Sequence, residues 1–106
     1  MMKRAVITRE ELSVHIQSGD IETVIMGFVD RYGRLVGKRA TGRFFLDHVA
    51  DHGTENCDYL LTCDIDNQPE VGFRFSNFDL GYGDMLAKAD WETIRIASWL
   101  PKTAII

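Results

Sequence analysis

The spacing of apolar residues at the start of the chain predicts a short helix. Leu12 and Ile16 lie four residues apart and therefore share one helical face. Thr8 and Glu11 form the capping-box pattern at the start of this segment, and Gly19 follows its last turn. We therefore expect an amphipathic helix that begins after Thr8 and ends at Gly19.

A second helix is predicted between Thr41 and Gly53. Threonine is a favoured N-cap, and glycine is a frequent C-terminal stop, so the helix should run through about His52. Four apolar residues recur at helical spacing on one face and indicate that this face is buried: Phe45, Leu46, Val49 and Ala50.

The segments between the helices have the patterns of strands. The run from Ile21 to Asp30 is apolar on both faces, which is typical of a central strand. A turn over residues 30–33 then uses Gly33, which adopts positive φ without strain, and residues 34–40 return as a second strand.

Two further strands are predicted in the second half of the chain. Residues 57–65 alternate strictly, with one inward face made of Cys57, Tyr59, Leu61, Cys63 and Ile65. Residues 93–100 alternate again until Pro101 breaks the pattern. The order helix, strand, strand, helix, strand, loop, strand predicts an α+β fold. Its simplest form is a β-grasp (ubiquitin-like) mixed sheet with one helix packed across it, plus the short N-terminal helix.

The composition and net charge of the chain argue against nucleic-acid-binding and membrane-associated functions. A chain of 106 residues that is 45% hydrophobic can bury one core, and a net charge of −4 disfavours general binding to nucleic acid or anionic membranes. The chain has no run of ~18 apolar residues and no signal-peptide pattern, so we expect a cytoplasmic protein without a membrane partner. Cys57 and Cys63 would lie roughly 20 Å apart along a strand, too far for a disulfide, so we expect free thiols.

A basic cluster follows the first strand. Five of the twelve basic residues fall within thirteen positions: Arg31, Arg34, Lys38, Arg39 and Arg43. The cluster could bind an anion or nucleic acid, or it could be the solvated edge of a sheet that blocks further strand pairing. The sequence lacks a P-loop pattern there, which excludes a nucleotide site of that kind.

Acidic residues suggest other sites. The run from Asp64 to Asn67 is similar to the start of a calcium loop, but Pro69 stands where that loop requires glycine, so a turn explains it better. Asp79, Asp84 and Asp90 lie in a long segment rich in glycine and aromatic residues. They could be metal ligands or general bases, or they could cap backbone amides in turns. The sequence contains no Ser-His-Asp or Cys-His pattern that would make the chain alone an enzyme.

Several short motifs resemble one known family. Gly81-Tyr82-Gly83-Asp84-Met85, Asp90-Trp91-Glu92-Thr93 and Ala97-Ser98-Trp99-Leu100-Pro101 occur in order, after Val29-Asp30-x-x-Gly33-Arg34-Leu35-x-Gly37-Lys38-Arg39 and Arg43-Phe44-Phe45. From about Ile21 to its end, the chain resembles the N-terminal domain of the glutamine synthetase family, in particular the branch of γ-glutamyl amide and polyamine ligases.

The resemblance implies an organisation for the whole enzyme. Residues 1–20 would be an N-terminal helical extension and residues 21–106 a β-grasp domain, and the apolar run of residues 103–106 would lead into a larger catalytic domain. That domain would hold ATP, Mg or Mn, and glutamate, and would form γ-glutamyl phosphate for attack by an amine. The chain alone would hold no cofactor, metal or catalytic residue and would be inactive.

The resemblance also implies where this domain acts. Subunits of the family form homo-oligomeric rings, and a loop of this domain enters the neighbouring subunit's active site. Residues 70–79 correspond to that loop, which makes four residues candidates for substrate binding: Glu70, Phe73, Phe78 and Asp79. Ammonia-using members have an acid-Gly-Ser-Ser run there, whereas this chain has Glu70-Val71-Gly72-Phe73 and has Ala89, not the usual proline, before Asp90. Phe73 favours a larger, partly apolar amine, and Glu70 would attract its cation.

An alternative function belongs to another class. The same pattern is compatible with a free-standing ubiquitin-like module that binds a protein partner through its sheet and carries out no chemistry. Such a module should bury the apolar side chains of Trp99, Ile105 and Ile106.

Overall fold

The computed structural model describes residues 6–61, 66, 68 and 83–106 of the chain. This part contains six strands: β1 (Thr23–Val29), β2 (Leu35–Thr41), β3 (Thr54–Cys57), β4 (Asp84–Ala87), β5 (Arg95–Ile96) and β6 (Thr103–Ile105). Four of them form a mixed sheet in the order β2-β1-β6-β5, in which β1 is antiparallel to β2 and parallel to β6. Strands β3 and β4 form a separate antiparallel pair. No helix in the described residues is long and apolar enough to cross a membrane.

The first helix, α1 (Arg9–Ser18), has the boundaries that its sequence predicts. The Glu11 backbone N–H donates to the Thr8 hydroxyl at 3.1 Å, and the Thr8 N–H donates to the Glu11 carboxylate at 3.3 Å. Gly19 ends the helix with a left-handed φ of 86°. The capping box therefore satisfies backbone donors that the first helical turn leaves unpaired.

The central helix (residues 42–52) lies across the sheet. It consists of an α-helical turn (Gly42–Phe44), a π-helical turn (Phe45–Val49) and a second α-helical turn (Ala50–His52). Thr41 caps its start by accepting the Phe44 backbone N–H at 3.2 Å, and Gly53 follows its end with φ of 78°.

Both helices pack against one face of the four-stranded sheet. The side chains of Leu12 in α1 and Phe45 in the central helix are fully buried against Val24 of β1 and Ala104 of β6. The buried cluster also includes Ile94. These contacts confirm the predicted α+β, β-grasp-like class, with a helix across a mixed sheet and an additional helix at the N-terminus.

The strand predicted at residues 57–65 is wrong over residues 58–61, and its remainder, residues 62–65, lies outside the described residues. The observed strand β3 ends at Cys57, where the prediction began, and residues Asp58–Leu61 form a 3-10 turn. Because residues 55 and 56 are both polar, β3 lacks the apolar alternation that predicts a strand. Asn56 is nevertheless buried, and its amide contacts the Thr54 carbonyl and hydroxyl. Cys63 and Ile65 lie outside the described residues, and Cys57 is a free thiol.

The end of the chain also differs from the prediction. Within the expected strand at residues 93–100, only Arg95–Ile96 pair as a strand. Residues Thr103–Ile105, for which no strand was predicted, lie between β1 and β5 in the sheet. Their pairing with Thr23–Ile25 joins residues 80 positions apart in the chain, a contact that local periodicity cannot reveal.

Candidate functional site

A largely apolar cleft lies between the four-stranded sheet, the central helix and the β3–β4 pair. Its volume is about 440 Å³. Its walls include Met26 and Phe28 from β1, Phe45 from the central helix, and Met85 from β4. Concave apolar cavities with a few polar groups are the usual form of small-molecule sites, so this cleft is the candidate site in the described residues.

Two polar residues of the cleft, Asp90 and Thr93, stabilise a turn. The Asp90 carboxylate accepts the Glu92 backbone N–H at 3.1 Å, and the Thr93 hydroxyl donates to the Asp90 carbonyl at 2.7 Å. Of the two alternatives for Asp90, backbone capping is therefore confirmed. Asp84 is exposed in β4. Asp79 lies outside the described residues.

The described residues contain no group of three or more His, Cys, Asp or Glu side chains that could hold a metal ion.

The basic cluster does not converge on one site. The Arg34 guanidinium donates to the buried Asp30 carboxylate at 2.7 Å, whereas the Lys38 ammonium donates to the Glu55 carbonyl of β3. Strand β2, which carries two of the five basic residues, Lys38 and Arg39, lies at the edge of the four-stranded sheet. Its position agrees with the prediction of a charged sheet edge.

The Asp30 carboxylate organises the β1–β2 turn. One of its oxygens accepts the backbone N–H groups of Tyr32 and Arg34, each at 2.9 Å. Burial raises the pKa of Asp30, but these hydrogen bonds and the Arg34 guanidinium outweigh that effect and hold the pKa below its ordinary value. The ionised form of Asp30 therefore stabilises the turn.

The sequence analysis missed a cluster around Trp91. The Arg9 guanidinium lies 4.2 Å from the centre of the Trp91 ring and donates to the Asp51 carboxylate at 2.8 Å. The same guanidinium lowers the pKa of Asp51. The Trp91 ring meets Phe45 edge-on, with ring centroids 6.0 Å apart. No local sequence signal could have revealed contacts between residues more than 40 positions apart.

The four predicted substrate-binding residues, Glu70, Phe73, Phe78 and Asp79, lie outside the described residues. They belong to the segment that connects β3 to β4. Cys57 at the end of β3 is paired with Asp84 at the start of β4. The segment that connects the two strands therefore leaves and rejoins the β3–β4 pair at neighbouring positions.

Two ligases are similar to this chain. A gamma-glutamylethanolamide synthetase, GlnA4, of Streptomyces coelicolor is 48% identical over 96 residues, which cover 91% of this chain and 21% of that protein. A glutamate–isopropylamine ligase of a Pseudomonas species is 31% identical over 91 residues, which cover 86% of this chain and 20% of that protein. No protein-family model matches. The chain thus spans about a fifth of the length of these relatives. By this similarity, the chain belongs to the glutamine synthetase-like family of ligases.

Proposed function

We propose that the chain is the N-terminal domain of an ATP-dependent ligase that joins glutamate to an amine, in the cytoplasm. The observation that carries this proposal is the 48% identity to a gamma-glutamylethanolamide synthetase over 91% of the chain but only 21% of the relative. In this proposal residues 21–106 form the β-grasp domain and residues 1–20 a helical extension of it. ATP, Mg or Mn, and glutamate bind in the remaining part of the parent enzyme.

The proposed role of this domain is to complete an active site. The segment of residues 70–79 would enter the active site of a neighbouring subunit in a homo-oligomeric ring. The β3–β4 pair supports this role physically, because four paired residues on each strand hold the two ends of the connecting segment on a packed scaffold. The chain alone contributes a substrate-binding segment and no catalytic group.

The proposed acceptor is a small primary amine with an apolar body. The name of one relative refers to the amide of ethanolamine, and the name of the other refers to isopropylamine. Both are small primary amines. Glu70 would attract the ammonium form of the amine, and Phe73 would contact its carbon atoms. Phe78 and Asp79 would line the same subsite.

The test begins with the native gene product. Its intact mass, measured after purification from its own cell, should be several times 12.1 kDa. The purified enzyme should then release phosphate only when ATP, Mg or Mn, glutamate and an amine are all present. Ethanolamine and isopropylamine should support faster release than ammonia at equal concentration. A native product of 12.1 kDa would contradict the proposal and favour the free-standing binding module.

A further inference from the structure

The four-stranded sheet has a second face that neither helix covers. Both helices pack against the face that bears Val24 and Ala104, and side chains alternate between faces along a strand. The opposite face is called here the outer face. Its described strand residues come from β1, β2, β5 and β6.

A row of side chains crosses the outer face from edge to edge. The strand register places Arg39, Ile25, Ile105, Arg95 and Val6 side by side in this order. Two isoleucines therefore occupy the centre of the face, and an arginine lies on either side of them. Arg39 and Arg95 are both exposed.

A second apolar group lies on the same face, toward the β1–β2 turn. Val29 and Leu35 are paired across the strands and are 61% and 55% exposed. The Leu35 side chain covers Gly27, which with its partner Gly37 separates this group from the row. Because Gly27 has no side chain, the Leu35 side chain occupies the space above it and extends the apolar group toward the row.

The charge of the outer face differs from that of the chain. The chain has a net charge of −4, yet no strand residue that the register places on this face is acidic. A complementary partner would therefore have an apolar centre and carboxylates positioned to meet Arg39 and Arg95. Exposed apolar groups framed by charge are typical of surfaces that bind protein.

We propose that the outer face docks against the remaining part of the parent polypeptide, through an apolar patch bordered by carboxylates. This inference rests on the proposed function, because relatives about five times as long as the chain supply the partner. Covalent attachment favours this partner over a separate protein, since a tethered surface is present at a high effective concentration.

The test measures how fast a thiol reagent reaches the outer face in the native full-length enzyme. Leu35→Cys reports on the outer face. The matched control is Val14→Cys on α1, because Val14 is 63% exposed and is similarly accessible in this domain. Modification by a maleimide is followed by peptide mass spectrometry, so native Cys57 and Cys63 can remain. We expect Leu35→Cys to react at least tenfold more slowly than Val14→Cys.

The charge requirement is tested in the same assay. Replacing both Arg39 and Arg95 by glutamate should raise the modification rate at Leu35→Cys toward that of the control site. Arg43→Glu, an exposed substitution on the central helix, should leave the rate unchanged.

Three outcomes would overturn the inference. Equal modification rates at Leu35→Cys and Val14→Cys in an active full-length enzyme would show an uncovered face and would leave the proposed function intact. Protection that disappears on dilution would assign the face to another subunit. A native product of 12.1 kDa would remove the partner and would contradict the proposed function as well.

Discussion

At the residue scale, the β1–β2 turn depends on one carboxylate. Asp30 accepts three hydrogen bonds from Tyr32 and Arg34 within a turn of five residues, and Gly33 completes the turn with φ of 80°. An ionised carboxylate accepts such bonds more strongly than a neutral amide does. The stability of the turn should therefore depend on the charge of Asp30.

Asp30→Asn should lower the free energy of unfolding at pH 7, and the loss should depend on pH. The folded-state pKa of Asp30 lies below its ordinary value, so its charged form stabilises the fold above pH ~3.9. This contribution is lost as pH falls through the lower folded-state pKa. Urea unfolding at several pH values should show that the free energies of unfolding of the wild type and the variant converge below pH ~3.9. Asp84→Asn, at an exposed position, is the control. A difference that is constant from pH 7 to pH 3 would contradict the role of the charge.

Glu70→Gln tests the proposed amine subsite in the full-length enzyme. Loss of a charged partner for an ammonium should raise the KM for the amine roughly tenfold, about 1.4 kcal/mol, with a smaller change in kcat. Steady-state phosphate release at varied amine and saturating glutamate measures both constants. Glu55→Gln in β3, outside the predicted loop, should leave the KM for the amine unchanged. If Glu70→Gln changes only the KM for glutamate, the assigned role is wrong.

At the element scale, α1 and the central helix meet where only glycine fits. A Cβ atom built on Gly42 would lie 2.8 Å from Cγ2 and 3.0 Å from Cγ1 of Ile16. Gly42 is buried at the start of the central helix, directly after the cap residue Thr41. The packing of the two helices is therefore sensitive to a single methyl group.

Gly42→Ala should lower the free energy of unfolding by about 1–3 kcal/mol, the usual cost of adding a group to a tightly packed contact. Urea denaturation followed by circular dichroism measures the change. Gly83→Ala is the matched control, because no atom of the described residues lies within 4 Å of its added Cβ and its φ is not left-handed. If the two substitutions change the free energy of unfolding equally, the close contact with Ile16 does not determine the effect of Gly42→Ala.

The elements that could be predicted from sequence are those with local signals. Thr8 with Glu11, and Thr41 with Gly53, marked both helices because caps act through residues within one turn. Strand β6 has no such signal, since its position is set by pairing with β1 across the whole chain. The π-helical turn at Phe45–Val49 was likewise not predicted, because the apolar spacing there also fits an ordinary α-helix.

At the scale of the whole molecule, the family could be predicted more readily than the site. Short motifs around Gly33 and Trp91 are spread along the chain, and similarity to two ligases confirms the family that they indicate. For Asp90 alone, turn chemistry correctly favoured backbone capping. The Arg9–Asp51–Trp91 cluster could not be predicted, because it unites three elements that are remote in sequence.

Removing residues 1–20 should prevent the rest of the chain from folding cooperatively. Leu12 of α1 is fully buried and Ile7 nearly so, and Ile7 also donates a backbone hydrogen bond to Ile94 at 3.0 Å. Loss of one buried leucine side chain alone costs about 2–5 kcal/mol, against a total stability of about 5–15 kcal/mol for a small domain. The helical extension is therefore expected to be an obligatory part of the β-grasp core.

Urea unfolding of the truncated and complete chains, followed by Trp91 and Trp99 fluorescence, measures this effect. Leu12→Ala in the complete chain should lower the urea concentration at the midpoint of unfolding, which separates the loss of core packing from the shortening of the chain. Val14→Ala on the same helix should change the free energy of unfolding by less than about 0.5 kcal/mol, because Val14 is 63% exposed. A truncated chain that unfolds cooperatively at the midpoint of the complete chain would make residues 1–20 a dispensable extension. The core would then have to be complete without Leu12.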